Sequence, residues 1–245
     1  MKISIITVVK NNYKTISETL ESVLNQSYTD YEYIIIDGGS DDGTLDIIKK
    51  WSLKFDGKMK YYSSPDNGAY NAMNKGITLA EGDIIGLLNA DDFYTDSNVL
   101  KSIVDGMSDK WVDLVYGDIC FVDNKDKTKV TRYYSAKKFT PDKLRYGFAP
   151  PHPSLYCRKE LYERYGLYKE NYIIAADFEM FVRFFRHSKV LSKYIPLNMV
   201  TMRKGGISTS WKHILSTNVR EKLRALRENN MKASVFLLAR KLIYV

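Results

Sequence analysis

The sequence predicts an α/β protein built on an open, mostly parallel twisted sheet flanked by helices. Two observations carry that prediction. Short, nearly continuous apolar runs alternate with segments of helical periodicity four times in the first hundred residues, the pattern of βαβ units whose strands are covered on both faces. The loops after those runs concentrate Asp, Asn and Gly, and in such sheets ligands bind beyond the carboxyl ends of the strands.

The first run, Ile3 to Val9, is β-branched and ends at polar Lys10-Asn11-Asn12. Ile16, Leu20, Val23 and Leu24 then recur at helical spacing between Lys14 and Gln26, and Tyr33 to Ile36 supplies a second buried strand closed by Asp37-Gly38-Gly39. Thr44 to Trp51 predicts a helix, Lys60 to Ser63 a strand, Ala69 to Ala80 a helix and Ile84 to Leu88 a strand. Beyond Asp96 the pattern weakens. Val99 to Met107 predicts a helix, Leu114 to Tyr116 a strand and Asp123–Lys129 a polar turn. Prolines at 150, 151 and 153 exclude a helix around His152. Helices follow from Lys159 to Tyr165, from Asp177 through Phe185, and from Ile214 onward. We divide the chain into residues 1–212, with a nucleotide-binding half to 120 and an acceptor-side half after it, and a helical extension over 213–245.

Composition is that of an ordinary soluble domain, 44% hydrophobic and 27% charged. No apolar run approaches the ~18–20 residues of a membrane span, and the first residues lack a signal-peptide pattern, so neither spanning nor secretion by that route is expected. Cys120 and Cys157 lie far apart without metal-ligand spacing, which argues against a zinc site or disulfide framework and for a reduced, cytoplasmic compartment. Eleven lysines face nineteen carboxylates in residues 1–120, a net −8, whereas twenty-six cations face ten carboxylates afterwards, a net +16. An acidic half can hold a cation, and a basic half can meet phosphates or an anionic membrane surface.

Two motifs carry chemistry. In Asn89-Ala90-Asp91-Asp92 adjacent carboxylates follow a buried strand, where they suit either Mg²⁺ or Mn²⁺ or a turn and helix cap. In Asp37-Gly38-Gly39-Ser40-Asp41-Asp42-Gly43-Thr44 the capping of a helix accounts for Asp42 and Gly43 but leaves Asp37 without a role. A dinucleotide fold would place GxGxxG after the first strand, where this chain has Thr7 to Asn12.

With Ile5 to Val9, Asp66-Asn67-Gly68-Ala69-Tyr70-Asn71-Ala72-Met73-Asn74-Lys75-Gly76, Pro151-His152-Pro153 and Ala176-Asp177-Phe178-Glu179, these motifs resemble family 2 glycosyltransferases of the GT-A fold over residues 1–210. The bacterial enzymes that build capsular, lipopolysaccharide or exopolysaccharide chains are the most similar. The resemblance implies inverting transfer of a hexosyl or N-acetylhexosaminyl group from a nucleoside diphosphate sugar, usually a UDP-sugar, to a glycan or polyprenyl-linked acceptor. It assigns Thr7, Asp37, Asp66, Asn67, Tyr70, Asn74, Lys75, Asn89, Ala90, Asp91 and Asp92 to the nucleotide-sugar site, and Asp91 to Mn²⁺ or Mg²⁺. Asn89 replaces the usual first acid of the DxD motif, so metal binding rests on Asp91, with Asp92 assisting or capping. Asp177 matches the catalytic base and otherwise caps its helix; Glu179 is the substitute. His152, Arg203 and Lys204 are candidate donor or acceptor contacts, the last two on a glycine-containing loop that either closes over the diphosphate or is a surface turn.

The basic amphipathic helix after Asn218 is read either as an interfacial anchor at the inner membrane face or, preferably, as packed on the catalytic domain or on a second copy in a homodimer. The competing functions are a basic nucleic-acid-binding module, unsupported by any binding motif, and a nucleotidyltransferase, which lacks a phosphate loop after the first strand. Nucleic acid is therefore not an expected partner.

Overall fold

The computed structural model describes residues 1–186, 189–203, 211–232, 234 and 238, the side chains of 211–216 excepted. Among them the strands are β1 (Ile3–Val9), β2 (Tyr31–Asp37), β3 (Met59–Ser63), β4 (Ile84–Leu87), β5 (Phe93–Tyr94), β6 (Leu114–Val122), β7 (Val130–Tyr134), β8 (Tyr156–Arg158) and β9 (Ser192–Arg203). The helices are α1 (Ile16–Leu24), α2 (Thr44–Ser52), α3 (Ala69–Leu79), α4 (Val99–Gly106), α5 (Lys159–Tyr165), α6 (Ala176–Phe185) and α7 (Trp211–Glu228). The strands form one sheet in the order β3-β2-β1-β4-β8-β6-β9-β5, with β7 beside β6.

The expected alternation holds through β4, and β1 to β4 are mutually parallel where they pair. Their apolar runs are buried because each face of the sheet is covered. Ile3 and Ile5 pack toward α1, α2 and α4, while Ile6, Ile34 and Ile36 pack toward α3, α5, α6 and α7.

The second half of the sheet departs from the parallel expectation. Strand β8 runs antiparallel to both β4 and β6, and β9 runs parallel to β6. Periodicity misses β9 because Pro196 interrupts it; the register slips there, from Tyr116 opposite Tyr194 to Asp118 opposite Asn198. Gly117 sits at that slip, where a Cβ would come within 2.8 Å of the Leu197 carbonyl oxygen. Around His152 the prolines do exclude an α-helix, but one 3₁₀ turn forms over His152–Ser154. Cys120 and Cys157 are buried free thiols.

The amphipathic helix predicted from Ile214 starts at Trp211 and packs on α6, burying Leu223, Ala225 and Leu226 in the same core. Polar contacts hold its end: Glu228 meets Lys169 at 2.8 Å, Arg224 at 2.6 Å and the Tyr172 hydroxyl at 3.0 Å. Residues 217–232 thus pack against the core that α6 shares; most of 233–245 lies outside the described residues. No helix among the described residues is long and apolar enough to cross a membrane.

Two stability predictions follow from these contacts. A Cβ at Gly86 would lie 2.0 Å from the buried Tyr156 ring across the β4–β8 pair, so Gly86→Ala should lower stability by about 3 kcal/mol in urea unfolding. An unchanged midpoint would refute that packing. Burial pushes the Glu228 carboxyl up, but its partners outweigh burial and hold it down to about 2. A depressed carboxylate adds stability above its unfolded value that fades as pH falls through the folded one. Glu228→Gln should therefore cost about 1–2 kcal/mol at pH 7, after allowance for its partial exposure, and progressively less between pH 4 and pH 2.

Candidate active site

The carboxyl ends of β1, β2, β3 and β4 lie side by side. Val9 is level with Asp37, Asp37 with Ser63, and the Leu88 N–H donates to the Ile6 carbonyl at 2.9 Å. Their loops are bonded to one another. Asn11, at φ 55°, donates its N–H to Ser40 Oγ at 2.9 Å and accepts the Asp41 N–H at 3.0 Å. Asp42 accepts the Thr44 N–H at 2.9 Å and its hydroxyl at 2.5 Å in a turn just before α2, whose cap position is taken by Gly43. Gly38 lies close beneath Asp66, where a Cβ would come 2.4 Å from Oδ2 and displace that carboxylate.

Several sequence-assigned residues are used inside the protein instead. Thr7 is fully buried; its hydroxyl donates to the Leu88 carbonyl at 2.7 Å and meets the Tyr33 hydroxyl at 2.9 Å, so it shapes the turn after β4 and offers nothing to a nucleotide. Asp37 is also buried, and its oxygens accept from the Ser40 hydroxyl at 2.5 Å and the Ser63 hydroxyl at 2.6 Å. A base N–H would reach it by displacing one of these serines. Asp66 accepts the Gly68 N–H at 2.9 Å, and Asn67 is exposed beside it.

The Asn89-Ala90-Asp91-Asp92 turn divides its two carboxylates. Asp92 is 1% exposed and accepts from Asn89 Nδ2 at 2.7 Å and from the Arg203 N–H. Burial, then the Asp91 charge, push its carboxyl up to about 7. Ala90 is buried, and its carbonyl accepts from Thr19 Oγ1 at 3.0 Å. Asp92 and Ala90 therefore brace the turn and do not face a donor. Asp91 is partly exposed and forms no hydrogen bond or ion pair among the described residues. A lone carboxylate suits Mg²⁺ or Mn²⁺ completed by phosphate oxygens and water; no cluster of three or more metal-ligating side chains exists among the described residues.

The Asp66–Lys75 motif splits similarly. Tyr70 donates its hydroxyl to the Ile174 carbonyl at 2.6 Å and accepts the Ala176 N–H at 3.3 Å. Asn74 is buried and exchanges hydrogen bonds with the Tyr168 backbone, 2.9 Å in each direction. Both residues fasten α3 to the chain before α6, which commits the Tyr70 hydroxyl and the Asn74 amide to bonds within the protein. Lys75 lines a groove of about 570 Å³ between α3 and the end of β3, with Tyr62 and Ser64.

A second cavity, of about 410 Å³, is lined by Asp177, His152, Lys222, Arg132, Phe121 and Tyr134. Asp177 is not the cap of α6, because Ala175 occupies that position. Asp177 Oδ1 accepts the Phe178 N–H at 2.7 Å, and its other oxygen has no hydrogen-bond donor among the described residues. The start of a helix favours a carboxylate. His152 Nε2 meets the Tyr168 hydroxyl at 3.1 Å; burial holds its imidazole below the ordinary value, against the pull of Asp177. Burial likewise lowers the Lys222 ammonium, which the same carboxylate counteracts.

Two further assignments are corrected. Glu179 is fully buried, paired with Lys169 at 2.9 Å and Arg183 at 3.1 Å, and accepts from Asn229 Nδ2 at 3.1 Å, so it locks α6 to α7 and cannot substitute as a base. Arg203 pairs with Glu18 and lies over the Phe93 ring at 5.5 Å, which ties β9 to the acidic turn and occupies its charge. Burial pushes the Glu18 carboxyl up, yet Arg203 and Lys127 together hold it below its ordinary value. Lys204 lies outside the described residues. The sequence did not single out Lys222 or Arg132; one sits in a run of similar cations on a helix and the other on a strand that periodicity misses.

The chain matches the model of glycosyl transferase family 2 over residues 4–165, from β1 to the end of α5. A PGL/p-HBAD biosynthesis glycosyltransferase of Mycobacterium bovis is 27% identical over 209 residues, covering 84% of this chain and 79% of the relative. An uncharacterized glycosyltransferase of Mycobacterium tuberculosis is 31% identical over 184 residues, covering 74% and 68%. Among solved structures, S. aureus TarS 1-349 with UDP-GlcNAc superposes with TM-score 0.75 at 18% identity, over 99% of this chain and 72% of that one. The mannosyltransferase PcManGT of Pyrobaculum calidifontis, with GDP-Man and Mn²⁺, gives TM-score 0.69 at 17% identity, over 95% and 65%. These two structures share the fold with it, and the family match spans the strands that form the acidic rim, so the protein belongs to glycosyl transferase family 2 and is a glycosyltransferase.

Proposed function

We propose that the protein transfers a sugar, with inversion, from a UDP-sugar to a hydroxyl of a glycan or lipid-linked acceptor in bacterial surface polysaccharide synthesis. One observation carries this reading: Asp91, at the strand rim, and Asp177, in the cavity of about 410 Å³, each keep a carboxylate oxygen without a hydrogen-bond donor among the described residues. The structures of TarS with UDP and with UDP-GlcNAc, and of PcManGT with GDP-Man and Mn²⁺, support a nucleotide-sugar donor.

In this reading Asp91 would hold Mn²⁺ or Mg²⁺. The ion, when bound, supplies Lewis-acid stabilisation of the charge on the departing diphosphate, worth several kcal/mol. Asp37 orients the base, with Ser40 or Ser63 yielding its bond. Asp177 accepts the proton of the incoming hydroxyl on the face of the sugar opposite the leaving group. The low basicity of His152 leaves it a neutral hydrogen-bonding wall of the acceptor cavity.

A thermal-shift screen of nucleotide sugars with Mn²⁺ identifies the donor. Asp91→Ala should weaken UDP binding in Mn²⁺ by about tenfold or more in calorimetry, and EDTA should erase the difference from the unsubstituted protein. Equal affinities in Mn²⁺ would remove Asp91 from the ion site. Asp177→Asn should lower kcat by ~10²–10⁴ while leaving UDP affinity within about twofold. A parallel loss of UDP affinity would place Asp177 on the donor side.

A further inference from the structure

We propose that Glu221, on α7, is a positioning residue for Asp177: it holds the backbone that leads into α6 and so sets where the Asp177 carboxylate lies. The inference rests on the reading of Asp177 as base. Glu221 is 8% exposed. Its Oε1 accepts the Ile173 N–H at 2.6 Å, and its Oε2 accepts the N–H groups of Ile174 and Ala175, each at 2.9 Å. Three successive amides thus converge on one buried carboxylate, an arrangement in which charge-assisted bonds are strong and directional.

The next amide, Ala176, donates to the Tyr70 hydroxyl, which in turn donates to the Ile174 carbonyl. The four residues before Asp177 are therefore gripped from two sides, by α3 and by α7. Local sequence cannot do this by itself, because the cap residue of α6 is Ala175, whose side chain makes no capping bond. Glu221 supplies from a distance the acceptor for the amides at and just before the cap position.

Attachment of α7 does not depend on Glu221. Buried Leu223 and Leu226, the Glu228 pairs and the Asn229 bond to Glu179 already anchor the helix. Among the described residues Glu221 has no salt bridge, so its charge is directed at the amides. An error of about 1 Å in a reacting group can cost on the order of 10²-fold in rate. That sensitivity makes the orientation of residues 173–175 a catalytic quantity and not only a structural one.

The test is a double-mutant cycle. UDP release from the donor found by thermal shift is measured with water as acceptor in the unsubstituted protein, Glu221→Gln, Asp177→Asn and the double variant, beside calorimetric UDP binding in Mn²⁺. A glutamine keeps the shape but has one acceptor oxygen for three amides. We expect Glu221→Gln to lower kcat about tenfold in the unsubstituted protein and less than about twofold in the Asp177→Asn background, with UDP affinity unchanged. Hydrogen exchange should quicken at the amides of residues 173–175. The same loss in both backgrounds, or full turnover in Glu221→Gln, would overturn the proposal while leaving Asp177 in place. Full turnover in Asp177→Asn alone would overturn both. Should Glu221→Gln unfold, Glu221→Asp, which keeps the charge but withdraws it by one methylene, is read in the same cycle.

Discussion

The Tyr70 hydroxyl is the contact on which the arrangement of the site depends. It belongs to the helix that follows the Asp66–Gly68 loop, and it bonds both the carbonyl of Ile174 and the amide of Ala176, just before Asp177. Burial, reinforced by the nearby Asp177 charge, keeps the phenol protonated far above the ordinary range, so it always has a proton to give to Ile174. Asn74 and Asn71 add a second set of bonds from the same helix to residues 168–170. One helix therefore follows the Asp66–Gly68 loop and fixes the segment from Tyr168 to Ala176 along its flank.

The carboxylates divide by what they already hold. Asp37, Asp92, Glu179 and Glu221 are buried, each with its oxygens bonded by the protein. Such groups set the shape of the loops, because removing a partner would leave a buried polar atom unsatisfied. Asp91 and Asp177 each have an oxygen to offer, and the functional reading follows from that difference more than from acidity as such. The acidic character of the first half is thus partly architectural.

The same holds for the basic second half. Lys169 and Arg183 neutralise Glu179, Arg203 and Lys127 meet Glu18, and Arg224 meets Glu228. Those five cations and Arg145 are matched at short range among the described residues, so the positive charge of that half is not a uniform surface. Lys222 and Arg132 differ, since both line the cavity that holds Asp177.

What the sequence determined by itself is the first half of the sheet, its acidic rim and the family. Strand and helix periods there are set by neighbours a few residues apart, and the motif residues follow strands whose burial on both faces is written in continuous apolar runs. The tertiary structure alone decided which motif residues face outward. Thr7, Asn74 and Asp92 carry the expected polar atoms, but their partners, Leu88, Tyr168 and Arg203, are brought to them from 81, 94 and more than 100 positions away in the chain. It likewise decided the mixed second half of the sheet, where Pro196 breaks the local pattern, and the place of α7. The physical reason is the same in each case: spacing in the chain fixes local conformation, whereas the partner of a hydrogen bond is chosen by the packing of distant elements.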